Sequence, residues 1–312
     1  MKTTTVKMIR TLCTKKLHWL PVSVILVFTL TAAVSTGCNN SGYSDNKPGV
    51  AVSIIPQAGF LKNVGDAKIN ITAMVPANAD PHTYEPKPSQ IKELSQAKMY
   101  AKVGSGLEFE LVWMDKLAAV NQNMLIVDCA KGIKLREMEE EHPGNEDEHH
   151  SGTDPHMWMS PLNAIIMVKN IAGGLIQIDP ENKEYYENNR DSYVQKLTEL
   201  DSDIREKLSK VQNRKFLVYH PSFGYFAAEY NLTMLTIEAE GKEPTAADLA
   251  HVIKEAQENN IKVVFASPQF NPQSAKVIAD AIGGKVILID PLAEDYIANM
   301  RFLLNEMVQV ME

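Results

Sequence analysis

Residues 181–211 read ENKEYYENNRDSYVQKLTELDSDIREKLSKV. Within this polar stretch Tyr186, Tyr193, Leu197, Leu200, Ile204 and Leu208 fall at helical spacing, which predicts one long amphipathic helix that starts just after the Asp179-Pro180 break. At 1.5 Å per residue it would span roughly 45 Å, long for a helix in a globular protein. It is either one side of a helical bundle or a bridge between two lobes. The flanking sequence decides between these.

Upstream, short apolar runs alternate with helical patterns. Val50–Ile55, Ile69–Val75, Met99–Val103 and Met124–Cys129 read as strands. Between them lie a helix that starts at Phe60–Val64, a helix capped by Ser89 with Ile91, Leu94 and Ala97 on one face, and a helix over Glu108–Ala119. Ser160-Pro161 then opens a helix to Ile178, with serine at the cap and proline at the first helical position. Downstream the same grammar returns: strands at Phe216–Tyr219, Leu235–Glu238, Val263–Ala266 and Val286–Asp290, with helices from Thr245 to Asn259, from Gln273 to Ala281, and from about Ala293 onward. Strands alternating with helices predict α/β lobes with mostly parallel sheets. The long helix is therefore expected as a linker at 181–212, joining an N-terminal lobe at 49–180 to a C-terminal lobe at 213–312.

The chain has 312 residues, a formal net charge of −8 and 22% charged residues. That composition is globular, and its acidic balance argues against a general nucleic-acid binder. The first 38 residues stand apart. Lys2, Lys7, Arg10, Lys15 and Lys16 precede the apolar run Leu20–Val34 and then Ser35-Thr36-Gly37-Cys38. This is the order of a secretory signal, and the apolar run is short for a membrane span. Cys38 after Thr36-Gly37 resembles a bacterial lipobox, with Ser35 where a larger aliphatic residue is usual; it implies lipidation of Cys38 and a polar tether over 39–48. Cys129 is then the one cysteine of the mature body, so no internal disulfide is expected, and it reads as a core residue.

The chemistry concentrates in histidines. Asp80-Pro81-His82 and Asp154-Pro155-His156 are the same tripeptide, each in a proline-fixed loop, and His220-Pro221 follows a strand. Ligands of parallel α/β sheets bind beyond the carboxyl ends of strands, so His82, His156 and His220 are expected to face one cleft. Asp290, at the end of the last strand, is a candidate fourth group. Three histidines with a carboxylate or water make a four-coordinate site suited to zinc. Ahead of His156, residues 136–153 form a loop rich in His, Asp and Glu, in which His142, His149 and His150 read as a weak accessory metal site. His251 reads as a surface helix residue, and His18 belongs to the signal.

From about Val50 to the C-terminus the chain resembles the ZnuA-type metal-binding solute-binding proteins of ABC importers. The resemblance rests on Asp80-Pro81-His82-Thr83-Tyr84-Glu85-Pro86-Lys87-Pro88-Ser89, Asp154-Pro155-His156-Met157-Trp158, His220-Pro221-Ser222-Phe223-Gly224-Tyr225-Phe226, Glu243-Pro244-Thr245 and Pro268-Gln269-Phe270. It implies two α/β lobes joined by a fairly rigid helix with metal bound between them. By position, His82, His156 and His220 fall on the family's ligand positions, and Asp290 falls near one that supplies a carboxylate in several relatives. His220 stands where manganese-binding relatives commonly have glutamate, and Ser267 stands where many relatives have glutamate.

The resemblance implies extracytoplasmic capture of Zn2+ by a monomer anchored to the membrane through Cys38, and delivery to an ABC permease. Ligand histidines must be neutral, so affinity is expected to fall as pH drops through about 6.5. One competing reading is a manganese or iron binder of the same architecture. Another is a zinc hydrolase, for which a general base beside the metal would be needed; Glu85 is the nearest candidate in sequence, and no His-Glu-x-x-His helix is present. A third is a surface adhesin or metal buffer.

Overall fold

A computed structural model of the chain describes residues 47–138, 152–238, 244–270 and 273–311. Among these, strands β1 (Gly49–Val52), β2 (Asn70–Ala73), β3 (Met99–Lys102) and β4 (Leu125–Asp128) form a parallel sheet in the order β2-β1-β3-β4. Strands β5 (Lys215–Val218), β6 (Thr233–Thr236), β7 (Val263–Ala266) and β8 (Lys285–Leu288) repeat the pattern as β6-β5-β7-β8. In each sheet the chain begins at an inner strand, steps to one edge and then crosses back. The loops leaving the carboxyl ends therefore diverge and open a crevice there. The inner strands β1 and β7 are buried along their whole length, the pattern of a sheet covered on both faces.

Helices α1 (Ile55–Gly65), α2 (Pro88–Leu94), α3 (Glu108–Val120) and α4 (Pro161–Ile178) belong to the first lobe, and α6 (Gly224–Glu229), α7 (Ala246–Glu258), α8 (Gln273–Ala281) and α9 (Tyr296–Met311) follow the linker helix α5 (Lys183–Leu208). Most strand bounds differ from the sequence expectation by a residue or two, and two helix starts differ because of proline. β1 stops at Val52, and α1 begins with Ile55-Pro56, where proline costs no hydrogen bond; the Gln57 side chain accepts from the Ser53 and Ile54 amides instead. α2 begins at Pro88, with Lys87 rather than Ser89 at the cap. The expected serine cap of α4 forms, Ser160 Oγ accepting from Asn163 N. The Thr245 cap of α7 is reciprocated by Asp248.

A single 3-10 turn at Pro180–Asn182 precedes α5, whose 26 residues run about 39 Å. All six periodic residues of α5, from Tyr186 to Leu208, are buried. They pack against α1, α4 and α9 in one hydrophobic core that runs from β1 and β3 through α5 to β5 and α9. A smaller core lies under α7 and α8. The two lobes are fastened to each other beyond the linker. Trp158 Nε1 donates to Pro291 O at 2.8 Å, and the Phe60 and Tyr296 rings meet edge-on at 5.4 Å. A Cβ on Gly59 would lie 2.1 Å from Glu294 O, so only glycine allows α1 to approach this closely. Cys129 is buried and free.

Candidate metal centre

Three loops at the carboxyl ends of the two sheets bring His82, His156 and His220 together. One ring nitrogen from each lies within 4.8 Å of the others, and ring centroids are 5.0–5.5 Å apart. His220 Nε2 and His156 Nε2 are 3.2 Å apart.

Each imidazole is held from behind by a carboxylate at Nδ1. His82 meets Glu108 Oε2 at 2.6 Å, His156 meets Asp154 Oδ1 at 3.0 Å, and His220 meets Glu238 Oε2 at 2.9 Å. An Nδ1–H donated to a carboxylate fixes the tautomer that leaves Nε2 as a lone-pair donor, and it makes that nitrogen more basic. Three such donors converging on one point suit a small cation. Among the described residues this is the one cluster of three or more side chains with metal-ligand geometry.

The repeated tripeptides fold alike but are held differently. In both, the aspartate accepts from the histidine amide two residues on, at 2.9 Å. Asp154 also takes its own histidine's ring. Asp80 turns its second oxygen to Thr83 Oγ1, and the His82 ring goes to Glu108. The sequence reading missed Glu108 and Glu238 as partners. Their signal was position, since Glu108 opens the helix after the Gly104–Gly106 turn and Glu238 follows a strand. Gly104 has a φ of 87°, a left-handed turn that sends the chain from β3 back into α3.

The surroundings divide the site into an outer and an inner part. The His82 and Glu108 side chains are 19% and 48% exposed, whereas those of His156 and Asp154 are each 4% exposed. Burial pushes His156 down to about 4, opposed by Asp154 and helped by the other two imidazoles, so it is neutral at neutral pH. Burial also pulls His82 down, but Glu108 outweighs this and holds it above the ordinary value. Glu108 is lowered: its burial, which raises it, is outweighed by His82. Phe270 stacks on His220 at 4.7 Å and Trp158 meets His156 edge-on at 5.4 Å, so apolar walls enclose the inner rings. The cavity where the rings converge leaves about 10 Å³ for the centre of a water-sized sphere, room for one ion or water.

Asp290 is not part of this cluster. Its Oδ1 accepts from Gln269 Nε2 at 2.7 Å and from Leu292 N at 2.9 Å. Ser267 Oγ donates to Gln269 Oε1, so a Ser267–Gln269–Asp290 chain ends on one oxygen of the carboxylate that the sequence offered to the metal. Glu85, offered as a base, lies on the Pro76–Pro88 loop, and nothing in the cluster's hydrogen bonding involves it. His251 is exposed on α7. His142, His149, His150, Glu243, Cys38 and His18 lie outside the described residues.

Comparison with known proteins points the same way. A sequence model described as ZnuA, zinc-uptake complex component A periplasmic, matches residues 50–310. The chain is 31% identical over 289 residues to the high-affinity zinc uptake system protein ZnuA of Bacillus subtilis (strain 168), covering 88% of this chain and 88% of that one. It is 28% identical over 276 residues to the zinc-binding lipoprotein AdcA of Streptococcus pneumoniae (strain ATCC BAA-255 / R6), covering 86% of this chain and 54% of AdcA, about half of that relative's length. A crystal structure of ZnuA is similar with TM-score 0.79 and 39% identity, covering 85% of this chain and 100% of that one. A ZnuA deletion mutant with zinc bound is similar with TM-score 0.78 and 39% identity, covering 85% and 98%.

Proposed function

The chain belongs to the ZnuA family of periplasmic zinc-uptake components, and from that premise we propose that it captures Zn2+ outside the cytoplasm and delivers it to the permease of an ABC importer. It is a solute-binding protein and not an enzyme, and the family places it outside the cytoplasm. The observation that carries the metal assignment is the carboxylate-backed trio of His82, His156 and His220. The ion enters past His82 and Glu108, the exposed pair, and is bound by Nε2 of the three rings, with water as the fourth ligand because Asp290 is not among the residues that converge there. Three neutral nitrogens favour zinc over manganese, a harder cation that prefers oxygen. A hydrolase would need a free general base, and Glu108, Asp154 and Glu238 are each committed to an imidazole. Binding in a space the size of one ion, where each carboxylate bonded to the three rings among the described residues is committed to its imidazole, is cargo chemistry.

The rest of the reading follows from sequence. Cys38 carries the lipid anchor, residues 39–48 tether the body to the membrane, and the body acts as a monomer. His142, His149 and His150 raise the local zinc concentration beside the tight site. The test is metal content and competition titration on residues 49–312, wild type beside His220→Ala. One tightly held zinc per chain, preferred over manganese and lost in the variant, is the expected result. Tight manganese binding, or zinc retained without His220, would refute the assignment.

A further inference from the structure

The two Asp-Pro-His tripeptides differ in who holds their backbone. Asp80 O is used locally, accepting from the Thr83 and Tyr84 amides in its own turn. The second tripeptide is gripped from both lobes. Pro155 O accepts from the buried Ser105 Oγ of the first lobe at 2.5 Å. Asp154 O accepts from Tyr225 Oη, on α6 of the second lobe, at 3.3 Å. The same hydroxyl accepts from Arg136 N at 3.0 Å.

Arg136 and Asp154 face each other across a short antiparallel pairing. Asp154 N donates to Arg136 O and Met138 N to Gly152 O, both at 2.9 Å, around the Glu137–Thr153 bridge. Tyr225 Oη therefore bridges the other donor and acceptor of this facing pair, Arg136 N and Asp154 O, and its ring lies under the Arg136 guanidinium. The neighbouring Gly224 completes the fit, since a Cβ there would sit 2.4 Å from Asp154 Oδ2 and 2.8 Å from Arg136 Nη1. Asp154 Oδ1 in turn holds both the amide and the ring of His156. Tyr225 lies five residues beyond His220, in the first turn of α6.

We propose that Tyr225 is a positioning residue of the metal site, which acts through Asp154 to set His156 at its distance from His220. One hydroxyl from the lobe carrying His220 fixes the peptide carrying His156. Relative placement of two ligands from different lobes is what a small cation's coordination sphere demands, and ring-nitrogen positions wrong by a few tenths of an ångström weaken it. Tyr225→Phe keeps the ring and leaves Arg136 N and Asp154 O without this partner, so the hold of the second lobe on the Asp154 carbonyl is lost while the Asp154 N–Arg136 O and Ser105–Pro155 bonds stay.

This rests on the three-histidine reading, and its test separates the two. Zinc affinity is measured by chelator competition for wild type, Tyr225→Phe, His156→Ala and the double variant, with circular dichroism and thermal midpoints of the metal-free proteins alongside. The expected result is a loss of about tenfold or more for Tyr225→Phe, in the range seen when ligand-orienting partners are removed, and no further loss in the His156→Ala background. Unchanged affinity in Tyr225→Phe, or an equal loss with and without His156, would overturn the proposal while leaving the site intact. Wild type without a tight zinc would overturn the site reading itself.

Discussion

At the residue scale the site is a set of three imidazoles whose useful nitrogen is chosen by a carboxylate behind each ring. Removing that carboxylate charge while keeping its shape should loosen the ion without removing a ligand. Glu238→Gln is therefore expected to lower zinc affinity by about 10–100-fold, measured by competition titration, against a much larger loss for His220→Ala. Asp290→Asn should leave the tight site in place, because its Oδ1 serves Gln269 and Leu292; a loss as deep as that of a histidine variant would show that Asp290 is a ligand after all.

The pH dependence separates by ring. His82 sits above its ordinary value, so protons compete for it first, and affinity should begin to fall at a pH above 6.5, earlier than three unperturbed histidines would predict. His156 is held near 4 in the fold and titrates at about 6.5 when unfolded, so between those values the unfolded chain binds more protons. Its contribution to metal-free stability is full above pH 6.5 and lost as pH falls toward 4. Denaturant midpoints of wild type against His156→Gln over that window should show a shallower slope for the variant.

At the element scale α5 is the part that most needed tertiary context. Its polar composition fits a solvent-crossing rod, yet six residues along one side enter the main core between α1, α4 and α9. Leu200→Ala should cost about 2–5 kcal/mol in chemical denaturation, as for other buried leucines, while Glu199→Ala on the exposed side should be near neutral. The helix starts are legible where the cap side chain makes its bond, at Ser160-Pro161 and Thr245. They were misplaced at Pro56 and Pro88, because proline both ends an extended run and opens a helix, and sequence alone does not say which role it takes.

At the scale of the whole molecule, the main core runs through both lobes and the linker and couples their unfolding, with the smaller core under α7 and α8 confined to the second lobe. Scanning calorimetry of the metal-free body should show one cooperative transition; two separable transitions would contradict this packing. The same continuity, with the Trp158–Pro291 bond and the Gly59–Glu294 contact, makes the body a rigid holder and not a wide-opening clamp. Deleting residues 139–151 should leave the tight site and lower the total metal bound, as read by titration of the deletion beside wild type.

The sequence by itself determined the two-lobe α/β plan, because hydrophobic period and strand–helix alternation are local properties that packing merely has to accept. It also determined which histidines meet, because proline-fixed loops at strand ends have one place to go in a parallel sheet. Only the tertiary structure decided which carboxylate backs each ring, which aspartate is spent elsewhere and which residue ties the lobes at the site. Those outcomes depend on contacts of 2.6–3.3 Å between residues up to 89 positions apart, from Arg136 to Tyr225. No local pattern encodes such distances, and the competition among Asp80, Glu108, Asp154, Glu238 and Asp290 for three Nδ1 protons is settled by geometry alone.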